Sequence, residues 1–85
     1  MQIIYTAEFI RRFKKLPLEV KKEAIKKELI FKKNPFDTKL KAHKLKGKLK
    51  DCWAFSISYS SRIVVEFGGD DIVYFHSIGS HNIYN

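Results

Sequence analysis

Trp53-Ala54-Phe55-Ser56-Ile57-Ser58-Tyr59, then Ser60-Ser61, Arg62-Ile63-Val64-Val65-Glu66-Phe67, Gly68-Gly69-Asp70-Asp71 and Ile72-Val73-Tyr74-Phe75-His76-Ser77-Ile78 run without a break. Trp53, Phe55, Ile57 and Tyr59 alternate with small residues, the period-2 pattern of a half-buried strand. Ser60-Ser61 reads as a tight connection. Ile63, Val65 and Phe67 share one face of a second strand, and Arg62, Val64 and Glu66 share the other. Gly68 to Asp71 reads as a hairpin turn whose glycines supply positive φ. Ile72 to Ile78 is the last strand, ended by Gly79. The C-terminal half is therefore an antiparallel sheet with one face to cover.

The N-terminal half supplies the cover. Ile3-Ile4-Tyr5 is a short opening strand, and Thr6 can cap a helix with Glu8 well placed against its dipole. Phe9, Phe13 and Leu16 then recur on one helical face. Pro17 interrupts that helix and opens a second, expected over Leu18 to Lys33 and stopped by Asn34-Pro35. Val20, Ala24 and Phe31 form its apolar stripe, with Ile25 and Leu29 as a neighbouring ridge. Glu23–Lys27 and Glu28–Lys32 have the supportive i,i+4 order. The expected architecture is α+β, β-α-α-β-β-β, with a helical hairpin packed on a small, largely antiparallel sheet. Residues 1–85 make one domain.

Seventeen basic residues against nine acids give a net charge of +8. Residues 1–50 hold 16 of the basic residues and five acids, whereas residues 51–85 hold Arg62 against four acids. A basic half points to a polyanionic partner, nucleic acid first and a membrane surface second. Lys39 to Lys50 contains six lysines among Leu40, Ala42, Leu45 and Leu49. An edge strand and loop that bury the leucines and present the lysines would produce it.

Several classes are excluded. No apolar run approaches the roughly 20 residues of a membrane helix, and no signal-peptide pattern opens the chain. Cys52 is the single cysteine, which fits a reducing cytoplasm. Histidine and cysteine spacing suggests no zinc motif, so neither a metal site nor a cofactor is expected.

Metal-free phosphodiester cleavage needs a base for the 2′-OH, an acid for the leaving 5′ oxygen, and cations around the crowded phosphorane. His43, His81 and Arg62 are the residues suited to these roles. Each also has a plain structural reading. His43 fits a solvated loop, Arg62 an ion pair with Glu66 or Asp70/Asp71, and His81 an exposed chain end. His76, mid-strand, fits a packed and hydrogen-bonded core histidine.

Five segments in order resemble the RelE/ParE superfamily of toxins from toxin–antitoxin pairs, most of all its RelE and YafQ-like branches. They are Phe9-Ile10-Arg11-Arg12-Phe13-Lys14-Lys15-Leu16-Pro17, His43-Lys44-Leu45-Lys46-Gly47, Trp53-Ala54-Phe55-Ser56-Ile57, Ser61-Arg62-Ile63-Val64, and Ile78-Gly79-Ser80-His81 with Tyr84. The resemblance implies a RelE-like fold and a ribosome-dependent mRNA endonuclease, cutting by 2′-OH attack to leave 2′,3′-cyclic phosphate and 5′-OH ends. It implies His43, Arg62 and His81 as catalytic residues, with His81 favoured as acid and His43 as base and the reverse left open. Lys44, Lys46, Lys48, Lys50 and Tyr84 would hold RNA. The implied partners are a cognate antitoxin, the ribosome and mRNA, with operator DNA met only through the antitoxin complex and no membrane. The family's ending usually has its aromatic four residues after the histidine; Tyr84 is three after His81, and Asn82 stands in place of the acid. Ser61 stands where YafQ-like toxins carry an acid. Two alternatives are a ParE-like inhibitor of DNA gyrase and a non-catalytic module that binds protein or nucleic acid.

Overall fold

The computed structural model describes residues 1–80. Strand β1 (Gln2–Tyr5) leads into helices α1 (Ala7–Lys14) and α2 (Leu18–Lys33), followed by β2 (His43–Lys44), β3 (Trp53–Ser56), β4 (Ser61–Gly69) and β5 (Ile72–Ser80). The sheet order is β1-β5-β4-β3-β2. β1 pairs parallel to β5, and the other neighbours pair antiparallel. The expected α+β layout is present, with the two-residue β2 as its lysine-bearing edge. Among the described residues no helix is long and apolar enough to cross a membrane.

Thr6 caps α1, its Oγ1 accepting from Phe9 N at 3.1 Å and donating to the His76 carbonyl at 2.8 Å. One hydroxyl thus ends β1, starts α1 and ties both to β5. Thr6→Ala is expected to cost about 1–2 kcal/mol, read as a lower urea midpoint with an unchanged m-value.

The main core lies between the helices and the sheet. Phe31 is its centre, stacked on Phe55 at 4.9 Å and edge-on to Phe75 at 5.4 Å. Phe9, Ala24, Leu40, Ile57, Ile63, Val65 and Ile78 surround it. The Ile25–Leu29 ridge remains exposed, at 52% and 57%. Tyr5 joins the layers by donating to Glu28. Burial first, and then Glu28, pushes the Tyr5 phenol above its ordinary pKa. A smaller cluster of Leu45, Cys52, Ala54 and Val64 covers the opposite face of the sheet.

Two bulges explain where simple alternation fails. The register passes from Val64↔Ser77 to Val65↔Phe75, leaving His76 as an extra residue on β5. That step lets Phe75 and Ile78, one odd and one even, face the same core. His76, on the face opposite Val73 and Phe75, is hydrogen-bonded as expected, to Glu66 at 2.7 Å, but stands half-exposed outside the core. The second shift, between Phe67 and Gly69, bulges Gly68, where a Cβ would meet the Tyr74 ring at 2.6 Å.

The hairpin turn also differs in detail. Its two central residues are Asp70 and Asp71, at φ 49° and 61°, rather than the glycines. Aspartate tolerates this left-handed region better than most side chains. Gly69, at φ 80°, precedes them. β3 is shorter than its apolar alternation suggests: it stops at Ser56, and Tyr59 is 98% exposed.

Glu8 sits in the first turn of α1. The Ser77 hydroxyl facing it, and then Arg12, hold its carboxyl below the usual carboxylate range against opposing desolvation. A depressed folded pKa means that its stabilisation is present above the ordinary carboxylate pKa and lost as pH falls through the folded value. Glu8→Gln is expected to flatten the acid limb of the stability curve, read as urea midpoints at neutral pH and at about pH 3.5.

Candidate functional site

Arg62 stands at the start of β4, opposite Ser56 and next to the Ile57–Ser60 connection. Its Nη1 donates to the carbonyls of Ser58 at 3.0 Å, Tyr59 at 3.2 Å and Ser61 at 3.0 Å. The connection is itself closed by Ile57 N donating to Ser61 O at 3.0 Å. Three carbonyl dipoles converging on one nitrogen hold the guanidinium in place. Two of the acids weighed as partners are used elsewhere: Glu66 meets His76, and Asp71 meets the N-terminal ammonium at 2.6 Å.

Beside Arg62 lies a groove of about 620 Å³ lined by Lys27, Lys39 and Lys41, with Ser56, Ser58 and Tyr59 on its walls. The local structure explains how these lysines arrive. Asp37 caps a 3-10 turn over Thr38–Leu40 by accepting from Lys39 N at 2.9 Å. Leu40 plugs into the core with no exposure. Lys41 ends the turn in the left-handed region at φ 51°. Lys27 comes from α2, where Glu23 is 3.9 Å away. Four cations and several hydroxyls around an open groove suit an anion with many oxygens, and Tyr59 offers an exposed ring at the rim.

Residues of this groove were only partly visible in the sequence. Lys39 and Lys41 belong to the lysine-rich segment, but Lys27 reads there as one more solvent-facing helix lysine. Tyr59 reads as the end of a strand. The lysines assigned to RNA stand elsewhere. Lys44 pairs with Trp53 across the edge of the sheet. Lys48 lines a different groove. Lys46 and Lys50 are exposed and do not line the Arg62 groove.

His43 lies on β2 opposite Ala54. Ala54 and Ser56 share one face of β3, so the register puts His43 and Arg62 on the same side of the sheet. Two strand spacings of about 4.8 Å and two residues of about 3.3 Å separate their Cα atoms by about 12 Å. Ser80, the residue before His81, pairs with Ser61. His81 and Tyr84 lie outside the described residues.

No family model matches the sequence, and no curated protein matches it. Solved structures do. The YoeB/ParE toxin from Agrobacterium tumefaciens is 18% identical with a TM-score of 0.80, over 95% of this chain and 99% of that one. YafQ from E. coli strain BL21(DE3) is 17% identical with a TM-score of 0.73, over 98% and 96%. A chain of the archaeal RelE–RelB complex from Pyrococcus horikoshii OT3 is 13% identical with a TM-score of 0.75, over 93% and 92%. The chain has the RelE/ParE toxin fold. Within this RelE-like fold the Arg62 groove occupies the sheet end formed by the β3–β4 connection and the last residues of β5.

A second, smaller constellation lies on the face of the sheet away from the helices. Cys52 is buried beside Glu66 and His76. Burial first, then the charges of Glu66 and Asp51, push the Cys52 thiol up. In the uncomplexed fold it is a thiol rather than a reactive thiolate.

Proposed function

We propose that this chain is the toxin of a toxin–antitoxin pair and cleaves mRNA on the ribosome. The Arg62 groove carries the reading, supported by the fold's likeness to RelE, YoeB and YafQ structures. A phosphodiester seated in the groove meets the fork of Arg62, while Lys27, Lys39 and Lys41 offset the charge of the strand. In the reaction a base takes the 2′-OH proton, the 2′ oxygen attacks phosphorus, and the P–O5′ bond breaks as an acid protonates O5′. The products are a 2′,3′-cyclic phosphate and a 5′-OH. His43 and His81 are the proton-transfer pair, with His81 as acid and His43 as base. Arg62 and the lysines stabilise the extra negative charge of the phosphorane. Lys44, Lys46, Lys48 and Lys50 extend the basic surface along the edge, a setting for ribosomal RNA or a more distant part of the message.

The proposed partner is an antitoxin, in keeping with the RelE–RelB complex among the similar structures. An acidic segment that covers the groove would silence it, and the pair would be the form that meets operator DNA. The expected location is the cytoplasm.

Inducing the chain in a bacterial host tests the reading. The wild type is expected to arrest growth, co-expression of the adjacent reading frame to relieve it, and His43→Ala or His81→Ala to abolish it. Unchanged arrest in both histidine variants would refute the assigned chemistry. Arrest accompanied by blocked supercoiling, with messages intact, would favour a gyrase inhibitor.

Two binding predictions follow from the groove. Lys39→Ala and Lys41→Ala are each expected to weaken RNA binding and to lower the slope of log K against log salt by about 1. Tyr59→Ala is expected to cost about 1–3 kcal/mol of binding if a base stacks on its ring. Fluorescence anisotropy across a salt series reads both.

A further inference from the structure

The face of the sheet away from the helices carries a second groove, of about 490 Å³, and its charge is opposite to that of the first. Glu8, Asp51 and Glu66 line it against Lys48 alone among its cations. In its floor, one donor atom each from Cys52, Glu66 and His76 lie within 4.8 Å of one another. From these observations we infer that the Cys52–Glu66–His76 cluster is a binding site for a divalent cation of the zinc class. The inference stands on this groove and is independent of the RNA-cleavage reading.

Two features carry it. The first is the donor set: a thiolate, an imidazole and a carboxylate are all ligands that zinc takes. An ion about 2.0–2.3 Å from each ligand needs those atoms about 3.3–3.8 Å apart in a tetrahedron. The cluster is within about 1 Å of that spacing. Glu66 and His76 are half-exposed, with side chains at 39% and 38%, so both have room to make the adjustment.

The second is that the backbone assembles the cluster deliberately. Alternation along β5 places His76 on the same face as Tyr74, the partner of Glu66 on β4, and His76 meets Glu66 there. Cys52 enters from the residue before β3, where its N–H donates to Leu49 O at 2.8 Å and its carbonyl accepts from Leu45 N at 3.0 Å. Three separate backbone segments therefore converge, which is why linear His and Cys spacing does not reveal the group.

On binding, the Cys52 S–H proton passes to solvent and an Sγ–metal bond forms. His76 gives up its hydrogen bond to Glu66, and one ring nitrogen and one carboxylate oxygen become ligands. The thiolate and carboxylate together neutralise a divalent charge.

Cobalt(II) and zinc(II) added to the untagged full chain, previously dialysed against a chelator, provide the test. The expected result is one equivalent of cobalt, a thiolate-to-cobalt charge-transfer band in the near ultraviolet, and displacement by zinc. Glu66→Gln and His76→Gln are each expected to weaken affinity at least tenfold, and Cys52→Ser to remove the charge-transfer band. Wild-type thermal stability should rise with zinc, and that rise should vanish in the variants. Glu66→Gln and His76→Gln alter half-exposed side chains, so they keep the test decisive if Cys52→Ser does not fold. Absence of the band in the folded wild type, or undiminished affinity in folded Glu66→Gln and His76→Gln, would overturn the proposal.

Discussion

Arg62→Ala is expected to lower the rate of RNA cleavage by about 10²–10³-fold and to abolish growth arrest. The size of the effect follows from where the charge is needed. A pentacovalent phosphorane carries more negative charge than the ground-state diester, so a fixed guanidinium favours the transition state over the substrate. The three carbonyls of the β3–β4 connection do the fixing. The loss should therefore fall mainly on kcat, whereas Lys39→Ala and Lys41→Ala should act mainly on KM. Arg62→Lys is expected to recover only part of the rate, because an ammonium lacks the planar fork. The alanine variant also loses charge-assisted bonds worth about 1.5–3 kcal/mol. Its urea midpoint must be measured beside its rate, with cleavage assayed well below that midpoint.

The second large effect concerns the fold itself. Phe31→Ala is expected to cost about 3–5 kcal/mol, a large part of the about 5–15 kcal/mol that holds a small domain together. Phe31 is 1% exposed and touches the rings of Phe55, Phe67 and Phe75. It thus bridges α2 to three strands. Equilibrium urea unfolding should show a large drop in the midpoint, while Leu29→Ala, at an exposed position of the same helix, should shift the midpoint little.

Local chemistry made much of this legible in the sequence. The bounds of α2 coincide with Pro17 and Asn34-Pro35 because both ends are set by proline geometry. Thr6 caps α1 because a hydroxyl before an amphipathic run has few better uses. Arg62 stands out because one cation among hydrophobic strands needs a local partner. What escaped depends on the third dimension. Tyr59 continues an apolar alternation although the chain has already turned. Lys27 has the spacing of a solvated helix lysine, and only the packing of α2 beside the 3-10 turn brings it to Arg62. His76 looks like a core residue, but it lies on the face opposite Val73 and Phe75, with Glu66 and Cys52. Charge arithmetic indicated a polyanion partner, but it could not divide the surface into a basic groove at Arg62 and an acidic one at Cys52.

Mapping mRNA 5′ ends in a translating extract bears most directly on the proposed activity, with the wild type and Arg62→Ala compared at equal concentration of folded protein. The wild type should produce codon-phased cuts bearing 5′-OH ends, and Arg62→Ala should leave the same messages intact. Equal cutting by both proteins, or intact messages with the wild type while it blocks gyrase supercoiling in a parallel reaction, would contradict the proposal.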